Sequence, residues 1–373
     1  MTARPGWAAR AQLPHFPWDS LAPHAAVAGA VPGGIVDLSI GTPVDPTPQT
    51  VQDALRAAAD SPGYPLTIGT PELRAALVGW VARRLHRTLT TAQVLPSIGS
   101  KELVALLPSL LGLAPGSRVL LPRLAYPTYD VGARAAGCVP VATDDVLAED
   151  PAGVSLVWLN SPSNPTGAVL PPARMAEIVA WGRAHDVLVA SDECYHELGW
   201  DAEPVSVLDP RVSGDSVEGV LALHSLSKRS NLAGYRAGFA AGDETAVAAL
   251  IEIRKHLGLL VPGPVQGAMV AALGDDEHVA VQRGRYALRR RLLRTALESA
   301  GLRVEHSQAG LYLWATREED CWRTVAALAA VGVLVAPGAF YGEDGTRHVR
   351  LALTATDERV ATAVDRLAAL SPA

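Results

Sequence analysis

Short apolar runs at 118–121, 154–159, 187–190 and 220–223 recur through the middle of this 373-residue chain, with helix-like stretches between them. Each run is too short for a buried helix and rich in Val and Leu, which suits a strand covered on both faces. The intervening stretches, such as 172–184, carry helical spacing. Strand and helix alternating in this way confine the fold to the α/β class, a mostly parallel sheet sandwiched by helices. Such sheets bind their ligands beyond the carboxyl ends of the strands.

The last third changes character. A charged helix is expected around 276–300, followed by short strands at 302–305, 311–314, 333–335 and 348–351 with helices among them. That pattern predicts a smaller α+β domain, and the length suits about two domains. Pro262-Gly263-Pro264 is the expected hinge, because proline and glycine interrupt a helical region there. The expected division is therefore 44–261 for the large domain and 262–373 for the small one, with residues 1–43 packing back on the small domain.

A hydrophobic content of 49% with 19% charged residues describes a globular chain, and the net charge of −6 includes no basic block to neutralise a row of phosphates. Nucleic acid is excluded as a main partner on that ground. Cys138, Cys194 and Cys321 are odd in number and widely spaced, so neither a disulfide framework nor a metal-type CxxC is expected, and no metal site. With no apolar signal core and no membrane-length segment, the expected location is cytoplasmic.

The chemistry concentrates around Lys228. It stands in Ser225-Leu226-Ser227-Lys228-Arg229-Ser230-Asn231-Leu232-Ala233-Gly234-Tyr235-Arg236-Ala237-Gly238, between hydroxyls and eight residues before an arginine. A lysine that acts as a neutral nucleophile profits from cationic and desolvating surroundings. Ser225, Ser227 and Arg236 together could hold a phosphate. Two rival motifs fail. Ser225-x-x-Lys228 meets the S-x-x-K pattern of serine acyl enzymes but lacks a downstream K-T-G, and His196-Glu197 is not followed by the second histidine of a metalloprotease, since position 200 is Trp.

The Lys228 run resembles the lysine signature of the class I/II aminotransferases, which bind pyridoxal phosphate (PLP). Matching pieces occur in family order over residues 38–350. The resemblance implies PLP-dependent fold type I, with Lys228 holding the cofactor as a Schiff base and then moving the substrate proton in a ping-pong reaction. It implies further roles one residue at a time. Ser100 and Lys101, in Ile98-Gly99-Ser100-Lys101-Glu102, would cradle the phosphate with Ser225, Ser227 and Arg236. Tyr126, opening Tyr126-Pro127-Thr128-Tyr129, would lie flat on the pyridine ring. Asn164, in Asn164-Pro165-Thr166-Gly167, and Tyr195 would bond the ring hydroxyl. Asp192 would pair with the pyridine nitrogen, whereas Asn160 is expected as a turn-former. Tyr64, in Gly63-Tyr64-Pro65, would reach the phosphate of a neighbouring subunit, which implies a homodimer with shared active sites. Arg350 would clamp the substrate α-carboxylate, and Gly41 belongs to a loop closing over substrate.

Within the family, Asp37-Leu38-Ser39-Ile40-Gly41-Thr42-Pro43 and Ser191-Asp192-Glu193-Cys194-Tyr195 look most like the actinobacterial succinyldiaminopimelate aminotransferases. That likeness implies glutamate as donor and N-succinyl-2-amino-6-oxopimelate as acceptor, in lysine and diaminopimelate synthesis. A broader glutamate/aspartate-type aminotransferase and a PLP-dependent C–S β-lyase share the same cofactor shell and stand as alternatives.

Overall fold

A computed structural model describes residues 13–14 and 16–370. Its strands, in chain order, are β1 (Val36–Asp37), β2 (Val94–Ile98), β3 (Arg118–Leu121), β4 (Val139–Ala142), β5 (Val154–Asn160), β6 (Leu188–Asp192), β7 (Val220–Ser225), β8 (Ala237–Gly242), β9 (Arg303–Glu305), β10 (Tyr312–Thr316), β11 (Val333–Leu334), β12 (Ala336–Pro337) and β13 (His348–Ala352).

Seven of them form the large sheet in the order β2-β8-β7-β6-β5-β3-β4. The neighbours from β7 to β4 are parallel, and β8 alone runs the other way, antiparallel to both β2 and β7. Side chains alternate across the sheet, and each face builds its own core. Leu156 and Trp158 of β5, Ala190 of β6, and Leu221 and Leu223 of β7 pack with Leu103, Leu107, Tyr129 and Leu250. Val157, Val189, Val220 and Ala222 face the opposite way, onto Trp80, Met175, Ile178 and Met269. Both faces are thus covered by helices, which is why these strands read as unbroken apolar runs. Chain order reverses between β3 and β5, so a crevice opens beyond their carboxyl ends.

The second body is a four-stranded antiparallel sheet, β12-β13-β10-β9, with the helices Cys321–Ala330 and Asp357–Leu367. Its core of Leu313, Val325, Val349 and Leu351 takes in Leu21, Val36 and Leu38 from the N-terminal segment, and Val36 pairs in parallel register with Val333. The helix Glu277–Ser299 runs along this body and contributes Tyr286, Leu293 and Leu297.

The break at 262–264 works differently from a hinge. Pro262 is the N-cap of the helix Gly263–Gly274, whose Ala268, Met269, Ala272 and Leu273 belong to the core of the large sheet. The chain therefore leaves the first body at Asp275–Asp276 rather than at Pro262, because an apolar helix face has to follow the surface that buries it. Cys138, Cys194 and Cys321 carry no disulfide, no described helix is long and apolar enough to cross a membrane, and no metal-holding cluster of His, Cys, Asp and Glu occurs among the described residues.

Candidate active site

The carboxyl ends of the parallel strands deliver their residues into one cavity of about 320 Å³. Tyr126 follows β3, Asn160 closes β5 with Asn164 in the loop beyond it, Asp192 ends β6, and Ser225 ends β7 just before Lys228. Because β8 runs opposite, its first residues lie at this same edge and bring Arg236 with them. The second body adds Tyr312 from β10 and Arg350 from β13, and the N-terminal segment adds Phe16, Trp18, Ile40 and Gly41.

Lys228 sits in a single turn, Leu226–Arg229, which Ser225 caps by accepting from Ser227 N–H at 3.1 Å. Its ammonium donates to the Gly41 carbonyl. Burial lowers its pKa to about 8, helped by the positive charges of Arg350 and Arg236 and opposed by Cys194. A glycine is required opposite it: a Cβ at Gly41 would lie 3.0 Å from the Tyr312 ring.

Beside Lys228, β2 runs directly into the helix Gly99–Leu110, whose N-terminus no side chain caps. Free N–H groups and the positive end of a helix make an anion site. Arg236 closes it from the other side, so near that a Cβ on Gly99 would stand 2.8 Å from its Cζ; Gly99 also takes φ of 71°, which only glycine adopts cheaply. Ser100, Ser225, Ser227 and Arg236 converge here. Lys101, next to Ser100, lines the same cavity. Its ammonium lies 5.8 Å from the Tyr126 ring centre and 5.9 Å from that of Phe16, at the mouth of the cavity. A residue one step along the first helical turn faces a different direction from its neighbour, so the Lys101 side chain stands beside the aromatic rings while its backbone N–H belongs to the same helix end.

Across the cavity, Asp192 is buried at the floor. Its Oδ2 accepts from the Tyr129 hydroxyl at 2.9 Å and its Oδ1 from Cys194 N–H at 3.2 Å. Burial raises its pKa, against these two donors. Tyr129, itself stacked on Trp158 with ring centres 5.0 Å apart, has no signal in the sequence to set it apart beside Tyr126. Asn160 is more than a turn-former: its amide donates to the Asp192 and Pro162 carbonyls, and its Oδ1 accepts from Asn164 N–H at 2.7 Å. The loop bearing Asn164 is thereby tied to the strand bearing Asp192.

Arg350 is only 2% exposed. Its guanidinium is sandwiched 3.8 Å from the Tyr312 ring centre and 4.8 Å from that of Tyr341; Nη1 donates to Asn164 Oδ1 and Nη2 to the Ser39 carbonyl. No carboxylate partners it among the described residues, and its buried Nε has no acceptor there. A buried cation in that condition is built to receive an anion from outside the chain. Tyr195 shares a 3.0 Å hydrogen bond with the Tyr312 hydroxyl. Tyr64 does not reach this cavity and stands 97% exposed.

The arrangement offers, within one crevice, a desolvated amine, a buried carboxylate opposite it, a helix-terminal anion cradle and a guanidinium with no carboxylate beside it among the described residues. Residues 34–367 match the family described as Aminotransferase class I and II. The chain belongs to that family, whose members are PLP-dependent, and it has the fold type I architecture. Among its relatives is the 4-dedimethylamino-4-oxo-anhydrotetracycline transaminase OxyQ of Streptomyces rimosus, 58% identical over 95% of this chain and 99% of that one. A probable aminotransferase of Mycobacterium tuberculosis is 59% identical over 96% of this chain and 86% of that one. Among solved structures, a probable N-succinyldiaminopimelate aminotransferase of Thermus thermophilus superposes with a TM-score of 0.85 at 30% identity, covering 95% of this chain and all of the other.

The residues present fit the cofactor. The cradle at Gly99, into which a Cβ would intrude, matches a phosphate. Buried Asp192, whose charge no cation among the described residues offsets, matches a protonated ring nitrogen.

Proposed function

We propose that Lys228 tethers PLP, that Ser100, Ser225, Ser227, Arg236 and the Gly99 helix end hold its phosphate, and that Asp192 faces the pyridine nitrogen with Tyr126, Asn164 and Tyr195 around the ring. Bound there, PLP supplies an electron sink for the negative charge that develops at an amino acid's Cα. Asp192, kept on the protonated ring nitrogen by Tyr129, maintains that sink. Arg350 would bind the α-carboxylate through its fork, and the Lys228 amine would take up the Cα proton and hold it for return to the product. Glutamate donates the amino group.

For the acceptor we infer a long oxo acid ending in an anion, N-succinyl-2-amino-6-oxopimelate. The observation that carries this is Lys101. Its ammonium stands at the neck between the Lys228 cavity and a second, largely apolar chamber of about 560 Å³, and Phe16, Trp18, Lys101 and Tyr126 line both. A substrate held at Arg350 by one end projects its far end through this neck, where a carboxylate would meet the cation. The likeness to the Thermus thermophilus protein supports the same acceptor.

A second reading is favoured by the chamber itself, walled by Trp18, Phe340 and Tyr341, and by the 58% identity to the tetracycline-pathway transaminase: a bulky cyclic ketone as acceptor. Comparison of kcat/KM for the succinylated acceptor, oxaloacetate and 4-dedimethylamino-4-oxo-anhydrotetracycline, with glutamate as donor, separates the readings. The succinylated acceptor should lead by a few-fold, because its far carboxylate reaches Lys101 as the short chain of oxaloacetate does not, and an ion pair at this exposed lysine contributes about 0.2–1 kcal/mol. Preference for oxaloacetate would return the protein to a general glutamate/aspartate type, and preference for the cyclic ketone would establish the second reading.

The active unit is a homodimer in this reading. Tyr64, fully exposed beside the half-exposed Leu66, is the residue that would enter the partner's phosphate site.

A further inference from the structure

The strand ends that carry Asp192 and Ser225 have a second, hidden side. Asp192 and Ser225 point to the face of the sheet that holds the cavity, so the alternation of side chains sends the next residue of β6, Glu193, and the preceding residue of β7, His224, to the opposite face. They meet there. The last backbone rungs between the strands are the Asp192–Leu223 pairing and the bond from Glu193 N–H to the Leu223 carbonyl at 2.9 Å. Directly beyond them Glu193 Oε2 lies 3.3 Å from His224 Nε2.

Both side chains are buried, at 1% and 3% exposure. Glu193 Oε1 accepts from Val207 N–H at 2.7 Å. The His224 ring stacks on Phe239 and meets the edge of Trp80, with centres 5.1 and 4.9 Å away. The void beside them measures about 10 Å³, at the lower limit for one water, and neither Glu193 Oε2 nor His224 Nε2 has a hydrogen-bond partner elsewhere among the described residues. The charged and titratable groups facing them are Asp192 at Glu193, His196 and Arg229 at His224, and Glu197 and Cys194 along the same void, with the Ser206 hydroxyl also bonded to Glu193. Arg229, next to Lys228 in sequence, is bound to Glu197 and to the Ala272 carbonyl.

We propose that Glu193 and His224 are positioning residues for transamination: a carboxylic acid donating its proton to a neutral imidazole clamps the ends of β6 and β7 together and so fixes the spacing between Asp192 and the Ser225–Lys228 turn. The bond is a neutral one. Burial pushes Glu193 up to about 7, while burial and the charges of His196 and Arg229 hold His224 well below the usual histidine range. Two neutral partners avoid the desolvation cost of an ion pair at this depth. The residues touch neither substrate nor cofactor. They act through the strand ends, and the inference rests on the reading of Asp192 and Lys228 given above.

The test uses Glu193→Gln, which keeps a neutral donor of similar shape, and Glu193→Ala, which removes it, each read in two ways. On the holoenzyme, PLP release on dilution at pH 6 should stay within about threefold of wild type for Gln and accelerate by about tenfold or more for Ala, with kcat falling and KM unchanged. On the PLP-free chain, thermal midpoints are followed from pH 5 to 8. The acid form of Glu193 is the one the fold favours, so its contribution is present at low pH and fades as pH rises through about 7. Wild type should therefore lose ground to the Gln variant over that range. A Gln variant as damaged as the Ala variant would make the bond ionic and overturn the proposal. So would an Ala variant that retains PLP normally, or midpoints of wild type and Gln that run parallel. Because the second measurement needs no cofactor, a wrong assignment of the PLP residues would leave it intact and would show itself in the first alone.

Discussion

At the scale of single residues, a cation kept from water with no carboxylate beside it among the described residues marks the working groups. Lys228 is the clearest case. Its pKa near 8 leaves about half the amines neutral at that pH, so PLP capture by the cofactor-free chain should quicken as pH rises through about 8 and level off above it. The same shift makes the unfolded chain the better proton binder between about 8 and 10.5, so this group adds stability as pH rises through that window and loses it as pH falls through 8. Stopped-flow absorbance against pH checks the first statement, and Lys228→Ala, which should retain no borohydride-fixed PLP, is its control. For Arg350→Lys the expected cost is about 2–5 kcal/mol in kcat/KM, since an ammonium cannot reproduce the fork and leaves its neighbours unpaired. The loss should fall equally on donor and acceptor, which use one carboxylate site in turn. A loss on one substrate only would make Arg350 a side-chain reader. The sequence singles out both residues because each lies in a distinctive run. It offers no such hint for Tyr129 or Tyr312, aromatic residues whose partners Asp192 and Arg350 are far away along the chain. The turn around Lys101 suggests the phosphate, and only the three-dimensional direction of its side chain shows it beside the aromatic rings.

At the scale of elements, the central strands β3, β5, β6 and β7 and the helix Pro172–Ala184 are legible because burial on both faces leaves a plain apolar run. The edge strands are not. β2 contains Pro96 and β4 contains Pro140, a residue that demotes any strand reading yet is tolerated at the rim of a sheet. β8, Ala-Gly-Phe-Ala-Ala-Gly, is built of residues with little strand preference. Its small side chains have a purpose: a Cβ at Gly238 would come within 2.9 Å of the Ser100 backbone nitrogen, so β8 must be slim for the helix Gly99–Leu110 to start beside it. Gly99→Ala should therefore damage the anion cradle and leave the fold intact. The added methyl meets Arg236 and forces a left-handed backbone on alanine, a strain of about 1–3 kcal/mol, or roughly 5- to 150-fold in PLP affinity. Equilibrium dialysis of PLP against the variant measures it, and unchanged affinity would move the phosphate elsewhere.

At the scale of the whole molecule, one chain brings Lys228, Asp192, Arg236 and Arg350 into one cavity, but Tyr64, the aromatic residue expected at the phosphate, does not line it. Tyr64 is 97% exposed, on a loop that places it on the outside of its own subunit. If the partner's phosphate site is its destination, each active site combines Lys228 of one subunit with Tyr64 of the other, and the two defects complement. Mixing Lys228→Ala chains with Tyr64→Ala chains after reversible dissociation gives hybrid dimers in which both defects fall in one site and the other site is intact. With random exchange about a quarter of all sites recover, because half the dimers are hybrids and half of their sites are whole. Activity should climb to that fraction as exchange proceeds, and the high-affinity PLP signal should climb with it. If Tyr64 served its own subunit, or served no site at all, every hybrid site would contain at most the competence of its parents and mixing would restore nothing. Light scattering on the wild-type chain supplies the companion result, a mass twice that of the monomer under the assay conditions.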